Sequence, residues 1–223
     1  MTRHHTSARD LLLESTLSEL ATRGVNRLNV RTICDAASLP ASLVNYHFGT
    51  RERLIAEATV TAYERYCAAN VTAVHEAGSD PEAQIRAWIE SQFRWTIAHP
   101  GIAAILNYSR VSPGIGDILN DEFADRMTTA GASSLLAVAT AIRNFTRCST
   151  DDRFEPDEFL TDDELATLIT HVMWTTLGFS TWAAGGHAPS RGLNEHLERH
   201  RIIERVIDQL IDLVRCSNRS RQP

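Results

Sequence analysis

Apolar residues recur at three- and four-residue intervals along most of the chain, the period of an α-helix with one buried face. Leu12, Leu13, Leu17, Leu20 and Ala21 make the first stripe. Ser7 opens it with Asp10 three residues on, in capping-box spacing, and Gly24 stands where a left-handed C′ residue belongs. Asn29 caps a second helix, "VRTICDAA", whose Val30, Ile33 and Ala37 face inward. Ser38, Leu39 and Pro40 make a tight turn, with Pro40 placed like a first-turn proline. A third, very short helix, "ASLVNYHF", ends at Gly49. Thr50 caps a fourth that runs to about Asn70, with Leu54, Ile55 and Ala58 on one side.

Further on, Asp80-Pro81-Glu82 is a cap, a first-turn proline and an early acid, opening a helix that stops at Pro100-Gly101. A short segment, "IAAILNYSR", follows, then a long helical pattern from about Asp117 to Phe145. "TRCSTDDRFEPDEF" is polar and reads as a surface connection. Its acids Asp151, Asp152, Glu155, Asp157 and Glu158 lack the spacing and central Gly of an EF-hand loop. Thr161 and Glu164 make another capping box, and "LNEHLERHRIIERVIDQLIDLVR" is the final helix. The prediction is an all-α protein.

The second and third helices are separated by only a few residues, which is helix-turn-helix spacing. Val44 and Phe48 lie four apart and share the core face, with Leu39 beside them in the turn. Ser42, Asn45, Tyr46 and His47 cannot all join them, so most point outward. Such a polar and aromatic face suits a recognition helix in a DNA major groove. Tyr46, His47 and Arg51 suit phosphate oxygens, and the backbone N–H groups opening helices two and four add to them. The same octet also fits a hydrophilic face that meets only water.

Composition narrows the class. Glycines number 11 and prolines 7, with long stretches free of both, which disfavours a turn-rich β fold. No apolar run approaches the ~18 residues of a membrane span. "MTRHHTSARD" lacks a signal-peptide core, so no membrane association and a cytoplasmic site are expected. Cys34, Cys67, Cys148 and Cys216 are far apart and read as reduced thiols. His196 and His200 lack a third ligand nearby, so no metal and no cofactor is expected. All 22 basic residues are Arg. Up to Cys67 the chain holds 8 Arg and 7 acids, and the remainder 14 Arg and 21 acids, which together make the net −6. A near-neutral head on an acidic body is compatible with DNA binding by the head, the body repelling phosphate.

From about Ser7 to Glu57 the chain resembles the DNA-binding domain of the TetR/AcrR family of bacterial transcriptional regulators. The resemblance rests on Leu20 and Gly24, Asn29-Val30, Ile33, Ala37, Ser38-Leu39-Pro40, Val44-Asn45-Tyr46-His47-Phe48 and Arg51-Glu52-Arg53-Leu54. Asn45 stands where the family has Tyr, and Arg51 where it has Lys. The resemblance implies a helix-turn-helix domain over residues 1–56 and a helical effector-binding and dimerisation domain over 57–223. It implies DNA contacts from Asn29, Arg31, Thr32, Ala41, Ser42, Leu43, Asn45, Tyr46, His47 and Arg51. Of these, Ser42 is suited to a base edge and Leu43 to a thymine methyl.

It also implies a small-molecule cavity between the middle helices. Candidate lining residues are Trp88, Phe93, Trp95, Asn107, Tyr108, Arg110, Met127, His171, Met173, Trp174 and Thr175. The same aromatics also fit plain core. Leu168, Val172 and Thr176, with Ile203, Ile207, Leu210 and Val214, form stripes on the last two helices that can pair two chains into a four-helix bundle. Those stripes also fit the core of a single chain. The expected function is a ligand-responsive regulator, a repressor released from a palindromic double-stranded operator by a small-molecule effector and acting as a homodimer. No HExxH, GxSxG or phosphate-loop motif occurs, so an enzyme is not expected. The alternative is a helical interaction protein whose helix-turn-helix no longer binds DNA.

Overall fold

The computed structural model describes residues 7–23, 28–99, 102–103, 113–148, 161–184, 201 and 204–213. All regular structure among them is helical. The helices are α1 (Ala8–Arg23), α2 (Val30–Ala37), α3 (Ser42–Phe48), α4 (Arg51–Glu76), α5 (Pro81–Ala98), α6 (Pro113–Asp121), α7 (Ala124–Cys148) and α8 (Asp162–Ala184). Residues 204–213 are helical as well and are called α9. None of the described helices is long and apolar enough to cross a membrane.

Helix starts follow local side-chain chemistry. Ser7 Oγ accepts from Asp10 N at 3.1 Å, while Asp10 accepts from Ser7 N at 3.3 Å. Asn29 Oδ1 accepts from Thr32 N at 2.9 Å, and Thr32 Oγ1 returns the favour to Asn29 N at 3.3 Å. Thr50 Oγ1 accepts from Arg53 N, and the Asp80 carboxylate from Glu82 N and Ala83 N. Thr161 and Glu164 close a reciprocal box. Each satisfies N–H groups that a helix start leaves open, and each is worth about 1 kcal/mol.

Two compact units emerge, Met1–Arg65 with Thr96–Ala130, and Tyr66–Trp95 with Gly131–Pro223. They are drawn differently from the domains expected at 1–56 and 57–223, because packing assigns the first part of α4 and all of α6 to the first unit. There, α1 packs against α2 and α3. Leu12, Leu20, Ile33, Val44, Phe48 and Leu54 are among its buried residues. Ion pairs tie its helices: Arg9 to Glu57, Arg65 to Glu14, Arg53 to Glu122 at 3.0 Å, and Arg126 to Glu64 at 2.7 and 2.8 Å. The hydrogen bond from Arg65 holds the Glu14 carboxyl below its ordinary value, against a smaller upward push from desolvation.

The second unit has one apolar core. Val74 of α4, Trp88, Ile89 and Phe93 of α5, Val138 and Ile142 of α7, Leu165, Leu168 and Val172 of α8, and Ile207, Leu210 and Ile211 of α9 are its members. This corrects the expected dimer stripe. Leu168, Val172, Thr176, Ile207 and Leu210 are buried within a single chain. Ile203 and Val214 lie outside the described residues. The amphipathic period was real, but the apolar surface facing it belongs to the same chain.

Two helix limits also differ. The single pattern expected from Asp117 to Phe145 is two helices, broken at Glu122 and Phe123. Phe123 is buried at the corner, with the Arg126 guanidinium over its ring. α4 does not stop near Asn70 but runs to Glu76, because Asn70 is buried and α4 carries Val74 on into the core. Gly24, the Pro100-Gly101 stop, the acidic stretch from Asp151 to Glu158, His196 and His200 lie outside the described residues.

Candidate nucleic-acid interface

α2 ends at Ser38, which takes a left-handed φ of 55°. Its N–H reaches the Asp35 carbonyl at 3.2 Å, and Leu39 N reaches the Cys34 carbonyl at 3.0 Å. The chain thereby reverses in four residues. Leu43 N to Pro40 O and Val44 N to Ala41 O, both 3.1 Å, start α3 with tight first-turn bonds, so Pro40 precedes the helix and accepts from it. Gly49, at φ +76°, ends α3 in a conformation that L side chains rarely adopt. α3 is therefore seven residues held between two sharp turns.

Its inner edge is Val44 and Phe48, both fully buried, each contributing roughly 1.5–3 kcal/mol. The Arg9 guanidinium lies 5.1 Å over the Phe48 ring while pairing with Glu57, which clasps α3 to α1 and α4. The outer edge is Ala41, Ser42, Asn45 and Tyr46, all exposed, Tyr46 at 80%. Leu43 and His47 sit half-buried on its flank, the His47 ring edge-on to Tyr46 at 4.9 Å. On α2, Arg31 projects with 91% of its side chain exposed and a long contact of 3.8 Å to Asp35.

Three of the expected DNA-contacting residues have work inside the protein. Asn29 and Thr32 form the cap of α2, so their side chains orient that helix. Arg51 donates from two guanidinium nitrogens to the Leu28 carbonyl, at 3.1 and 2.6 Å, and from a third to Glu52 at 3.0 Å. It ties the start of α4 to the residue that precedes the α2 cap. Nothing in local sequence signals that tie, since its acceptor is a backbone carbonyl 23 positions away. Cys34 behind α2 is a free, buried thiol, and burial pushes its pKa up.

Among the described residues the expected small-molecule residues occupy different settings. Trp88 and Phe93 are core, Met127 belongs to the first unit, and His171 and Trp174 stand on the exposed side of α8, Trp174 at 66%. Trp95 packs at 4.7 Å on Tyr66, Met173 and Thr175 are half-buried, and Asn107, Tyr108 and Arg110 lie outside the described residues. What the second unit does assemble is an uncharged polar cluster. Tyr66 Oη donates to Gln92 Oε1 at 2.9 Å. Ser134 Oγ accepts from Trp88 Nε1 at 3.1 Å and from Asn70 Nδ2 at 3.4 Å. Asn70 Oδ1 is buried with no hydrogen-bond partner among the described residues. A buried acceptor left so costs about 1–3 kcal/mol. Tyr66 with Asn70, and Trp88 with Gln92, lie four apart on α4 and α5, a spacing that could have pointed to this cluster.

Two short helices joined by a sharp turn, the second buried on one edge and bare on the other, define a helix-turn-helix DNA-binding domain. Residues 12–58 match the family model described as bacterial regulatory proteins, tetR family. The match spans the helix-turn-helix and the start of α4, and marks this part of the chain as a DNA-binding domain of the TetR type. No curated protein matches the chain. Among solved structures, a protein of unknown function from Rhodococcus sp. RHA1 aligns with a TM-score of 0.66 at 21% identity, over 96% of each chain. A TetR family transcription regulator from Marinobacter aquaeolei VT8 aligns at 0.59 and 15%, over 95% of this chain and 97% of that one. A fatty acid degradation regulator from Bacillus halodurans aligns at 0.62 and 14%, over 92% and 94%. At these identities the likeness is one of fold.

Proposed function

We propose that the chain is a ligand-responsive cytoplasmic repressor, that a small molecule bound in the second unit releases it from a palindromic operator, and that it acts as a homodimer. The observation that carries the DNA half is the bare outer edge of α3 beside the exposed Arg31. The effector half is supported by the neutral cluster around Asn70, whose buried acceptor suits a ligand's hydrogen-bond donor. The dimer half is supported by the exposed face of α8, where Thr167, Thr170, His171, Trp174 and Gly178 share one side. A Cβ built at Gly178 meets nothing, so a second backbone can come close there.

Salt titration tests the DNA reading. Binding to random duplex should be weak and fall steeply with salt. Arg31→Ala should lower the slope of log affinity against log salt by about 0.9, the contribution of one neutralised phosphate. Arg51→Ala should weaken all sequences alike and leave the slope unchanged, since its guanidinium is spent on Leu28 and Glu52. A protein that ignores duplex at low salt would be the interaction module with an idle helix-turn-helix.

For the effector, compounds are scored by loss of operator affinity. Asn70→Leu should cost those that act about tenfold in binding, one charge-free hydrogen bond, with basal operator affinity unchanged. Operator should weaken each compound's binding by the factor the compound weakens operator's. Compounds that release DNA equally well from Asn70→Leu would place the effector elsewhere.

A further inference from the structure

We propose that Asn45 reads an adenine, so that each operator half-site carries an A·T pair under α3. The inference rests on the DNA-binding reading above and adds which base is read. The exposed side chains of α3 are Ser42, Asn45 and Tyr46, with Ala41 at its entry. Ser42 and Tyr46 each present a single hydroxyl. Only Asn45 presents a planar group with a donor and an acceptor side by side, the pattern that matches N7 and N6 of adenine in the major groove. Among the described residues no side-chain hydrogen bond engages that amide. Its backbone carbonyl accepts from Gly49 N at 3.1 Å.

α3 holds no Arg or Lys, the residues that read guanine through O6 and N7. Asparagine is short, so it reads a base only if the helix comes close. The residues one turn before it on the same ridge permit that approach, because Ala41 and Ser42 are small. The Ala41 methyl is suited to a thymine methyl beside the adenine. Tyr46 projects further out and meets the flanking backbone with its hydroxyl.

The test begins with full-length protein and a random pool of duplexes. The selected half-site should hold an adenine whose replacement by 7-deazaadenine, which removes only the N7 acceptor, weakens wild type by ~2- to 13-fold per half-site. In Asn45→Ala the same replacement should cost nothing further, and the variant should accept any base pair at that position. Asn45 is exposed, so circular dichroism should find the variant as helical as wild type. Equal deazaadenine penalties in wild type and Asn45→Ala at every adenine would overturn the assignment. So would a uniform loss across all sequences in Asn45→Ala, which would give the amide to a phosphate. A pool from which no sequence is enriched would instead bring down the DNA-binding reading on which this one stands.

Discussion

Ile207→Glu is expected to unfold the second unit and not to release a folded monomer. Ile207 is 0% exposed and Leu210 is 4% exposed within one chain. The orientation of α9 is fixed from its other side. Arg86 of α5 pairs with Asp208 at 2.7 Å and with Glu204 at 3.7 Å, and the Asp208 hydrogen bond raises the Arg86 pKa. With those acids turned to Arg86, Ile207, Leu210 and Ile211 face the apolar core. A carboxylate at position 207 has no basic partner in that core, and stranding it costs several kcal/mol. The lost packing of the isoleucine adds about 2–5 kcal/mol, against a whole-domain stability of roughly 5–15 kcal/mol. Helicity by circular dichroism should drop, and light scattering should find aggregate. Ile207→Val, which keeps the site apolar, should cost only about 0.5–1.5 kcal/mol in a denaturant titration. A folded, helical monomer from Ile207→Glu would return this stripe to the dimer interface.

That outcome bears on what a one-dimensional pattern can carry. The caps at Ser7, Asn29 and Thr161 were legible because donor and acceptor lie three residues apart, and the helix they open reads from the same few positions. The helix-turn-helix was legible for the same reason, since Val44 and Phe48 need only one turn to declare an inner edge. An apolar stripe states that something covers it but not which chain does, which is why Leu168 and Ile207 read as an interface and proved to be core. The break at Phe123 was hidden because its cause is burial of one ring at a corner, not a Gly or Pro. Arg51 read as a phosphate ligand from its charge, while its carbonyl acceptor on Leu28 is set by how α2 and α4 fold together within the first unit. The polar cluster was hidden because Asn70 looked like a helix end, when its buried amide meets Ser134, 64 positions on.

Trp174→Glu should have the opposite signature, a folded chain that no longer pairs. Trp174 is 66% exposed on α8, in line with Thr167, Thr170, His171 and Gly178, and an indole left in water on such a face is an anchor suited to a second copy. In a two-fold pair the same face meets itself, so each substitution acts twice. Central tryptophans in interfaces cost about 2–4 kcal/mol when lost, and two of them raise a dimer dissociation constant by roughly three or more orders of magnitude. The single chain should not notice, because the side chain covers little of its own core. Helicity and the denaturation midpoint of the diluted protein should hold while sedimentation gives half the mass. Operator affinity should fall with it, since two heads must be held roughly 34–36 Å apart to meet both half-sites of a palindrome. Binding to a single half-site should be unchanged, which separates a lost partner from a damaged reading head. A variant that stays dimeric with full operator affinity would move the interface off this face of α8. A variant that unfolds would mean that Trp174 supports the fold of its own chain.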